Sequence, residues 1–136
     1  MTRGVLWDSS AILALLDGDD TDHAQAVAVA HRIASEERPS FITNYIEAEA
    51  HALLLRKLGR TIAREWLLKG GLPVVRTLPA EEQRAKEILV RYSDKDWSLC
   101  DAISFAVLDA RQITTAFAFD QHFRQYGRIR VLGLGR

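Results

Sequence analysis

The sequence contains little cysteine and little proline. Its 136 residues include one cysteine, Cys100, and three prolines. A single cysteine can form no disulfide within the chain and cannot supply the paired thiolates of a structural zinc site. Its position in an apolar helical run favours a small core residue instead. This usage is consistent with a reducing compartment, and we expect a cytoplasmic protein.

Long apolar runs are also missing. No stretch approaches the ~20 consecutive apolar residues that a membrane-spanning helix needs. Asp8 interrupts the N-terminal segment too early for the pattern of a secretory signal peptide. The sequence therefore predicts a soluble protein with no membrane partner. Its length predicts a single domain over residues 1–136.

The chain has no excess of either charge, because 18 basic and 18 acidic residues cancel. No overall field draws it towards nucleic acid, so any such contact must use a local patch. Arginine, which suits paired phosphate contacts, outnumbers lysine by fourteen to four. Two basic clusters could follow a phosphate backbone or could simply be solvated. They comprise Arg56, Lys57, Arg60, Arg64 and Lys69 around Gly59, and Arg124, Arg128, Arg130 and Arg136 near the C-terminus.

Several common motifs are absent. The sequence has no Walker-type phosphate loop, no GxGxxG loop, no HExxH pair, and no GxSxG around Ser9 or Ser10. The acidic segment 17–22 lacks the glycine position and terminal glutamate of a calcium-binding loop, which predicts a solvated turn. These absences exclude the usual nucleotide-binding loops and the hydrolases that use a serine elbow.

Short β-type runs alternate with helical runs along the chain, which predicts an α/β fold with a mainly parallel sheet of about five strands. Several connections between strands carry two helices. The predicted strands are residues 4–7, 40–43, 73–78, 113–119 and 130–134. The predicted helices are residues 10–16, 22–36, 45–58, 61–69, 80–92 and 99–111, with a short one from Gln121.

Two acids lie at the ends of predicted strands. Asp8 follows the first strand, and Asp120 follows the strand run ITTAFAF. In a parallel sheet, ligand sites lie at the carboxyl ends of the strands. Each acid could instead be only the N-cap of the helix that follows it.

Glu47 follows the second predicted strand and lies on the apolar side of the next helix. At 100° per residue its direction is close to those of Leu54 and Leu58, so it projects from the apolar stripe. Glu49 lies on the opposite side, which it shares with Arg56. The pattern therefore predicts that Glu47, and not Glu49, is the buried glutamate.

Asp101 begins a helix that is apolar nearly all round, which is typical of a buried helix. Both inner acids have an alternative explanation as members of capping boxes. Asn44 could pair with Glu47, and Ser98 could pair with Asp101. Thr43 could cap the earlier helix instead, which would leave Glu47 free.

The shared position of these acids favours a site over separate caps. Asp8, Glu47 and Asp120 belong to one edge of the sheet, and Asp101 joins them only if residues 93–97 return along it. Carboxylates that meet in this way repel, and a divalent cation resolves the repulsion. Ligation by oxygen alone favours Mg²⁺ or Mn²⁺ over zinc, and such sites commonly act on phosphate.

Three polar residues near these acids, Ser10, Asn44 and His122, are candidates for supporting roles. Ser10 stands where a phosphatase of the aspartyl-phosphate type would need a second acid. His122 could approach a phosphate near Asp120, or could serve only in packing or capping.

Four segments together resemble the PIN-domain ribonucleases, and among them the VapC-type toxins of toxin–antitoxin pairs. VLWDSSAILALL looks like the opening strand, first acid and helix of that family, and FITNYIEAEAHALL is similar to its Thr-Asn segment with the second acid, Glu47. DKDWSLCDAISFAVL looks like the third-acid motif, with Asp101 as ligand, and AFAFDQHFRQYG resembles the fourth, with Asp120. The resemblance extends over nearly the whole chain.

The resemblance implies a three-layer PIN-like domain with helices around a parallel sheet. It implies a Mg²⁺- or Mn²⁺-dependent endoribonuclease, usually a homodimer, that a small antitoxin neutralises at the acidic site. Ser10 matches a family hydroxyl that often supports the first acid. Ala118 stands where the family usually has a threonine two residues before the fourth acid. The supporting hydrogen bond of that threonine is therefore not expected in this chain.

The leading hypothesis is hydrolysis of RNA by a metal-activated water at Asp8, Glu47, Asp101 and Asp120. Two other functions remain open from the sequence. The first is a non-catalytic PIN-like module that binds an antitoxin or an assembly partner. The second is another metal-dependent phosphoesterase, such as a DNA nuclease.

Overall fold

Five parallel strands make up the sheet in the computed structural model, which describes residues 3–134. They are β1 (Val5–Trp7), β2 (Ser40–Thr43), β3 (Val74–Val75), β4 (Thr115–Ala118) and β5 (Arg130–Gly133). Their order is β3-β2-β1-β4-β5, and every neighbouring pair is parallel. The carboxyl ends of all five strands therefore lie at one edge of the sheet, with β1 in the centre.

Seven helices flank the sheet within the same described range. They are α1 (Ser9–Leu16), α2 (His23–Ser35), α3 (Asn44–Leu58), α4 (Arg60–Lys69), α5 (Pro79–Arg91), α6 (Leu99–Ala110) and α7 (Gln121–Tyr126). The first three connections between strands each carry two helices, and the last carries one. The predicted α/β fold with about five parallel strands is confirmed. No helix in residues 3–134 is long and apolar enough to cross a membrane.

One strand is much shorter than the sequence predicts. The run 73–78 yields only the two residues of β3, because the following backbone amides bond to side chains instead of to a strand. The Thr77 amide donates to Asn44 Oδ1 at 3.0 Å, and the Leu78 amide donates to Glu81 Oε1 at 2.8 Å. Leu78 then caps α5, which begins at Pro79.

The core lies on both sides of the central strands and around α6. Val5 and Leu6 of β1 are fully buried, and α6 is buried without interruption over residues 101–108. This confirms the prediction of a buried helix and explains why the N-terminus of α6 reaches deep into the molecule.

An aromatic cluster fixes the end of α6 that carries Asp101. The rings of Phe105 and Tyr126 stack with centroids 4.4 Å apart, and Trp97 packs edge-on against Phe105 at 5.0 Å. The Trp97 indole also donates to Gln125 Oε1 at 2.9 Å. Residues 93–97 are therefore held against α7, so the starts of α6 and α7 lie side by side.

Candidate active site

Asp8 lies between β1 and α1, and its amide donates to the Phe117 carbonyl of β4 at 2.9 Å. Its Oδ2 accepts hydrogen bonds from the Ser10 amide at 3.1 Å and the Ser10 hydroxyl at 2.6 Å, so it is the N-cap of α1. The Ser10 Oγ accepts in turn from the Phe119 amide, just after β4, at 3.0 Å. Ser10 thus supports the first acid and fixes it to the neighbouring strand.

The carboxyl of Asp8 lies in a poor environment for a negative charge. Only 3% of the residue is exposed. The pKa of Asp8 is raised to about 7, mainly by burial and to a smaller extent by the nearby carboxylates of Glu49 and Asp101. The two hydrogen bonds from Ser10 act in the opposite direction. A cation at this carboxyl would remove much of the penalty for its ionisation.

Asp101 is held at the start of α6 by a capping box. The Ser98 hydroxyl accepts from the Asp101 amide, and Asp101 Oδ2 accepts from the Ser98 amide, both at 3.1 Å. Asp101 is 5% exposed, and its Oδ2 also lies 2.7 Å from Nδ1 of His122. The capping explanation is confirmed, but it does not compete with a place in the acid cluster.

Asp120 completes this side of the cluster. It caps α7, because its Oδ1 accepts from the His122 amide at 2.9 Å, and the same oxygen lies 3.3 Å from His122 Nδ1. Ligand atoms of Asp101, Asp120 and His122 all lie within 4.8 Å of one another. Since Asp120 follows the carboxyl end of β4, its neighbour Asp101 also lies at this edge of the sheet.

Glu49, and not Glu47, lies beside Asp8. The Ser9 hydroxyl donates to Glu49 Oε1 at 2.5 Å, and Glu49 lines the same cleft as Asp8. Glu47 lines a different cavity, next to Trp66. The expectation that Glu47 was the buried glutamate facing the site is therefore wrong.

The helical geometry that predicts opposite directions for Glu47 and Glu49 is correct. The choice of which side of α3 faces the site is not. The two glutamates do point to opposite sides of α3, and both are partly buried because α3 packs against α1 as well as α4. The side shared by Glu49 and Arg56 faces the start of α1. The sequence does offer one sign of this arrangement, because the Ser9 hydroxyl directly after Asp8 can donate a hydrogen bond to a glutamate on the neighbouring helix.

Asn44 lies away from the acid cluster. The cap of α3 is Thr43, whose hydroxyl accepts from the Ile46 amide at 3.1 Å. Asn44 instead accepts from the Thr77 amide and fixes the segment after β3. The capping box of Asn44 with Glu47 is therefore wrong, and the alternative cap at Thr43 is confirmed.

The acids border a cleft of about 450 Å³. Its walls include Asp8, Glu49 and Asp120, together with the exposed side chain of Arg56. The other members of this basic cluster, Lys57, Arg60, Arg64 and Lys69, are also exposed. Arg124, Arg128 and Arg130 of the second cluster are exposed, and Arg136 lies outside the described residues. The cleft therefore combines three carboxylates with one cation.

Each aspartate of the cluster presents one uncommitted oxygen. Ser10 engages Oδ2 of Asp8, Ser98 and His122 engage Oδ2 of Asp101, and His122 engages Oδ1 of Asp120. The opposite oxygen of each carboxylate accepts no hydrogen bond from any residue in the range 3–134. Convergent carboxylate oxygens of this kind fit Mg²⁺ or Mn²⁺, which prefer oxygen ligands.

Cys100 adjoins the cluster but does not join it as a thiolate. The residue is partly buried and packs against the core. Burial raises the pKa of its thiol far above the usual range, and the carboxylates of Glu49, Asp8 and Asp101 raise it further. The thiol stays protonated at neutral pH, so it is not available to the cluster as a thiolate ligand.

Comparison with known proteins agrees with this fold. A family model described as "PIN domain" matches residues 5–129. The chain is 31% identical over 128 residues to "23S rRNA-specific endonuclease VapC20" of Mycobacterium tuberculosis H37Rv, an alignment that covers 91% of this chain and 95% of that protein. It is 29% identical over 133 residues to "Ribonuclease VapC26" of the same strain, covering 95% and 94%.

Solved structures show the same architecture. The crystal structure of Mycobacterium tuberculosis VapC20, described as a "Sarcin-Ricin loop cleaving toxin", gives a TM-score of 0.77 at 29% identity and covers 90% of this chain and 95% of that one. FitAcB from Neisseria gonorrhoeae gives a TM-score of 0.65 at 17% identity, covering 94% and 96%. With a family match over most of its length, the chain belongs to the PIN domain family.

Proposed function

We propose that this protein is a Mg²⁺- or Mn²⁺-dependent endoribonuclease and the toxin of a toxin–antitoxin pair. The observation that carries the proposal is the group of three aspartates at the same edge of the sheet, each of which has one oxygen that receives no hydrogen bond from residues 3–134. The relatives named as a ribonuclease and an rRNA-specific endonuclease support RNA as the substrate.

The residues that would hold the cation are Asp8, Glu49, Asp101 and Asp120. Glu49 takes the role that the sequence predicts for Glu47, since it borders the cleft with Asp8. When bound, a divalent cation supplies an activated water and offsets the charge that develops on the phosphate.

The side chains around the cleft favour water over a protein nucleophile. The Ser9 hydroxyl is committed to Glu49 and the Ser10 hydroxyl to Asp8. The raised pKa of the Cys100 thiol removes it as a thiolate. No hydroxyl or thiol of these three is activated for attack on phosphorus, so direct hydrolysis fits the site better than a covalent intermediate.

The substrate backbone requires a cation at the cleft, and Arg56 is placed to supply it. Arg56 is exposed, lines the cleft, and lies two helical turns beyond Glu49 on the same side of α3. A guanidinium there would bind non-bridging phosphate oxygens and orient the scissile group above the carboxylates.

We further propose that the protein acts in the cytoplasm, forms a homodimer and binds a cognate antitoxin. A solved structure that shares the fold is titled "Toxin-antitoxin complex from Klebsiella pneumoniae", at 16% identity and a TM-score of 0.65. Exposed apolar side chains on α3 and α4, among them Leu55, Ile62 and Leu68, support a protein partner. Light scattering of the purified chain, alone and with its co-expressed antitoxin, would measure both assemblies.

The sharpest test compares two glutamates that share one helix. We expect Glu49→Gln to lower RNA cleavage by about 100-fold, because it removes a cation ligand, while Glu47→Gln stays within about threefold of wild type. Initial rates on single-stranded RNA with Mn²⁺ measure both. Equal losses in the two variants, or full activity of Glu49→Gln, would contradict the assignment.

Aspartate variants test the reaction itself. Asp8→Asn and Asp101→Asn should abolish RNA cleavage and growth inhibition while circular dichroism shows an intact fold. A wild-type protein that binds no Mn²⁺ and cleaves nothing would favour the non-catalytic module. Cleavage of DNA in preference to RNA, measured in parallel, would favour the DNA nuclease.

A further inference from the structure

We infer that His122 is a positioning residue that holds the carboxylates of Asp101 and Asp120 in register through a hydrogen on Nδ1, so that this nitrogen is not a ligand of the cation. This inference rests on the proposed function of the site. It assigns to His122 a role different from the phosphate contact that the sequence suggests.

The imidazole lies between the starts of two helices. Its Nδ1 is 2.7 Å from Asp101 Oδ2, at the start of α6, and 3.3 Å from Asp120 Oδ1, at the start of α7. The side chain of His122 is 30% exposed, and that of Asp101 is 7% exposed. A single ring nitrogen therefore connects two acids that are 19 positions apart in the chain.

The hydrogen-bond pattern identifies the tautomer. Asp101 Oδ2 already accepts a hydrogen bond from the Ser98 amide, so this oxygen is an acceptor. His122 Nδ1 must then carry the hydrogen and donate it to the same oxygen. A protonated Nδ1 has no lone pair available for a cation, which excludes this nitrogen as a ligand.

This bond commits one oxygen of each acid to the imidazole. His122 and the helix amides engage the same oxygen of each acid, Oδ2 of Asp101 and Oδ1 of Asp120. The other oxygen of each acid stays without a donor from residues 3–134. Without the imidazole, the Asp101 carboxylate would keep one weaker bond, and two adjacent negative charges would lose the donor between them. Partners that orient carboxylate ligands in this way typically contribute about 10–100-fold to metal affinity.

Substitutions that keep, move or remove the N–H of His122 distinguish a donor at Nδ1 from a donor at Nε2. An asparagine amide can place an N–H close to the position of histidine Nδ1, whereas a glutamine amide reaches towards Nε2. His122→Asn keeps the proposed donor, His122→Gln moves it, and His122→Ala removes it. His31→Asn is the control, because His31 is exposed on α2 and away from the acids.

The first experiment measures Mn²⁺ affinity of the full-length variants by calorimetry, after circular dichroism has shown that each is folded. We expect His122→Asn and His31→Asn to stay within about threefold of wild type, and His122→Gln and His122→Ala to bind about tenfold more weakly. Retention by glutamine with loss by asparagine would overturn the inference in favour of Nε2. Wild-type affinity in all three His122 variants would overturn it as well.

Two spectroscopic measurements need no activity. The ¹⁵N shifts of the metal-free protein should identify Nδ1 of His122 as the protonated nitrogen, and a protonated Nε2 with a bare Nδ1 would contradict the inference. Electron spin echo spectra of the Mn²⁺ form should show no directly bound nitrogen from His122. If wild type binds Mn²⁺ with these signatures but cleaves no RNA, the proposed function fails and the positioning role stands. If wild type binds no Mn²⁺, both fail.

Discussion

At the residue scale, the buried carboxyl of Asp8 lowers the stability of the folded metal-free protein when it is ionised. The carboxyl is 3% exposed and close to two other acids, and burial raises its pKa from 3.8 to about 7. The folded chain therefore binds a proton at Asp8 more tightly than the unfolded chain does. Its contribution to the free energy of unfolding falls as the pH rises from about 4 to about 7, and it stays low above pH 7.

Asp8→Asn should consequently stabilise the metal-free protein. The amide keeps an acceptor for Ser10 but carries no charge, so we expect the free energy of unfolding at pH 8 to rise by on the order of 2 kcal/mol. The gain should shrink at pH 5, where wild-type Asp8 is protonated. Urea unfolding with a chelator at both pH values measures this. Asp19→Asn, at an exposed acid, should change neither value, and a destabilised Asp8→Asn would refute the reasoning.

Three of the four acids of the proposed site follow from the sequence, and the fourth does not. Asp8 and Asp120 were placed by the strands that they end, and Asp101 by the apolar helix that it begins. Glu47 and Glu49 differ only in the side of α3 from which they project. Sequence periodicity gives the angle between those sides but not the position of the neighbouring helix, so the choice between them required the packing of α3 on α1.

At the element scale, an ion pair between a buried glutamate and a partly exposed arginine joins α5 to the end of α6. Two nitrogens of the Arg111 guanidinium donate to Glu81, Nε at 2.8 Å and Nη2 at 2.9 Å, and Glu81 is 4% exposed. The same carboxylate accepts from the Leu78 amide at the start of α5. The hydrogen bonds from Arg111 hold the pKa of Glu81 below its usual value. This pair connects the start of one helix with the end of the next.

Glu81→Gln should destabilise the protein by about 2 kcal/mol at pH 7, because Arg111 loses its charged partner and the cap of α5 weakens. The effect should diminish as the pH falls below 4.5 and through the lower pKa of folded Glu81, where wild type also loses the charge. Thermal or urea unfolding measures it. The exposed pair Arg84–Glu87 provides the control, and Arg84→Gln should cost less than about 0.5 kcal/mol.

The helices follow from the sequence more closely than the third strand does. The helices of the first three crossovers begin and end within two residues of the predicted positions, because the apolar period and the turn residues mark them. The third strand did not follow, since Thr77 and Leu78 give their amides to Asn44 and Glu81. Bonds between distant side chains and the backbone leave no pattern in a single sequence.

At the scale of the whole molecule, the zero net charge conceals a local separation of charge. The acids meet at the carboxyl edge of the sheet, while α3 and α4 expose five basic side chains, of which Arg56 borders the acid cleft. An RNA backbone would thus meet cations beside the carboxylates that we propose as ligands of the divalent ion. Attraction of this local kind weakens with salt.

Arg56→Gln should raise KM for RNA several-fold with little change in kcat, and it should lower the slope of log affinity against log salt by about 1. Lys57→Gln is the matched control, since Lys57 is the next residue on α3, is exposed, and does not line the cleft. Cleavage kinetics at three salt concentrations measure both variants. Equal effects at the two positions would assign the binding to diffuse charge instead of to Arg56.

The acids that cap helices have a consequence for how this protein can lose its activity. Asp8 and Asp120 each begin a helix, and Asp101 belongs to a capping box. Asparagine is as good an N-cap as aspartate, so exchange of a carboxylate for an amide removes the charge and spares the helix. An alanine at the same position would lose both. A single substitution can therefore separate toxicity from folding, and an inert chain that still presents its intact surface to a partner lies one mutational step away.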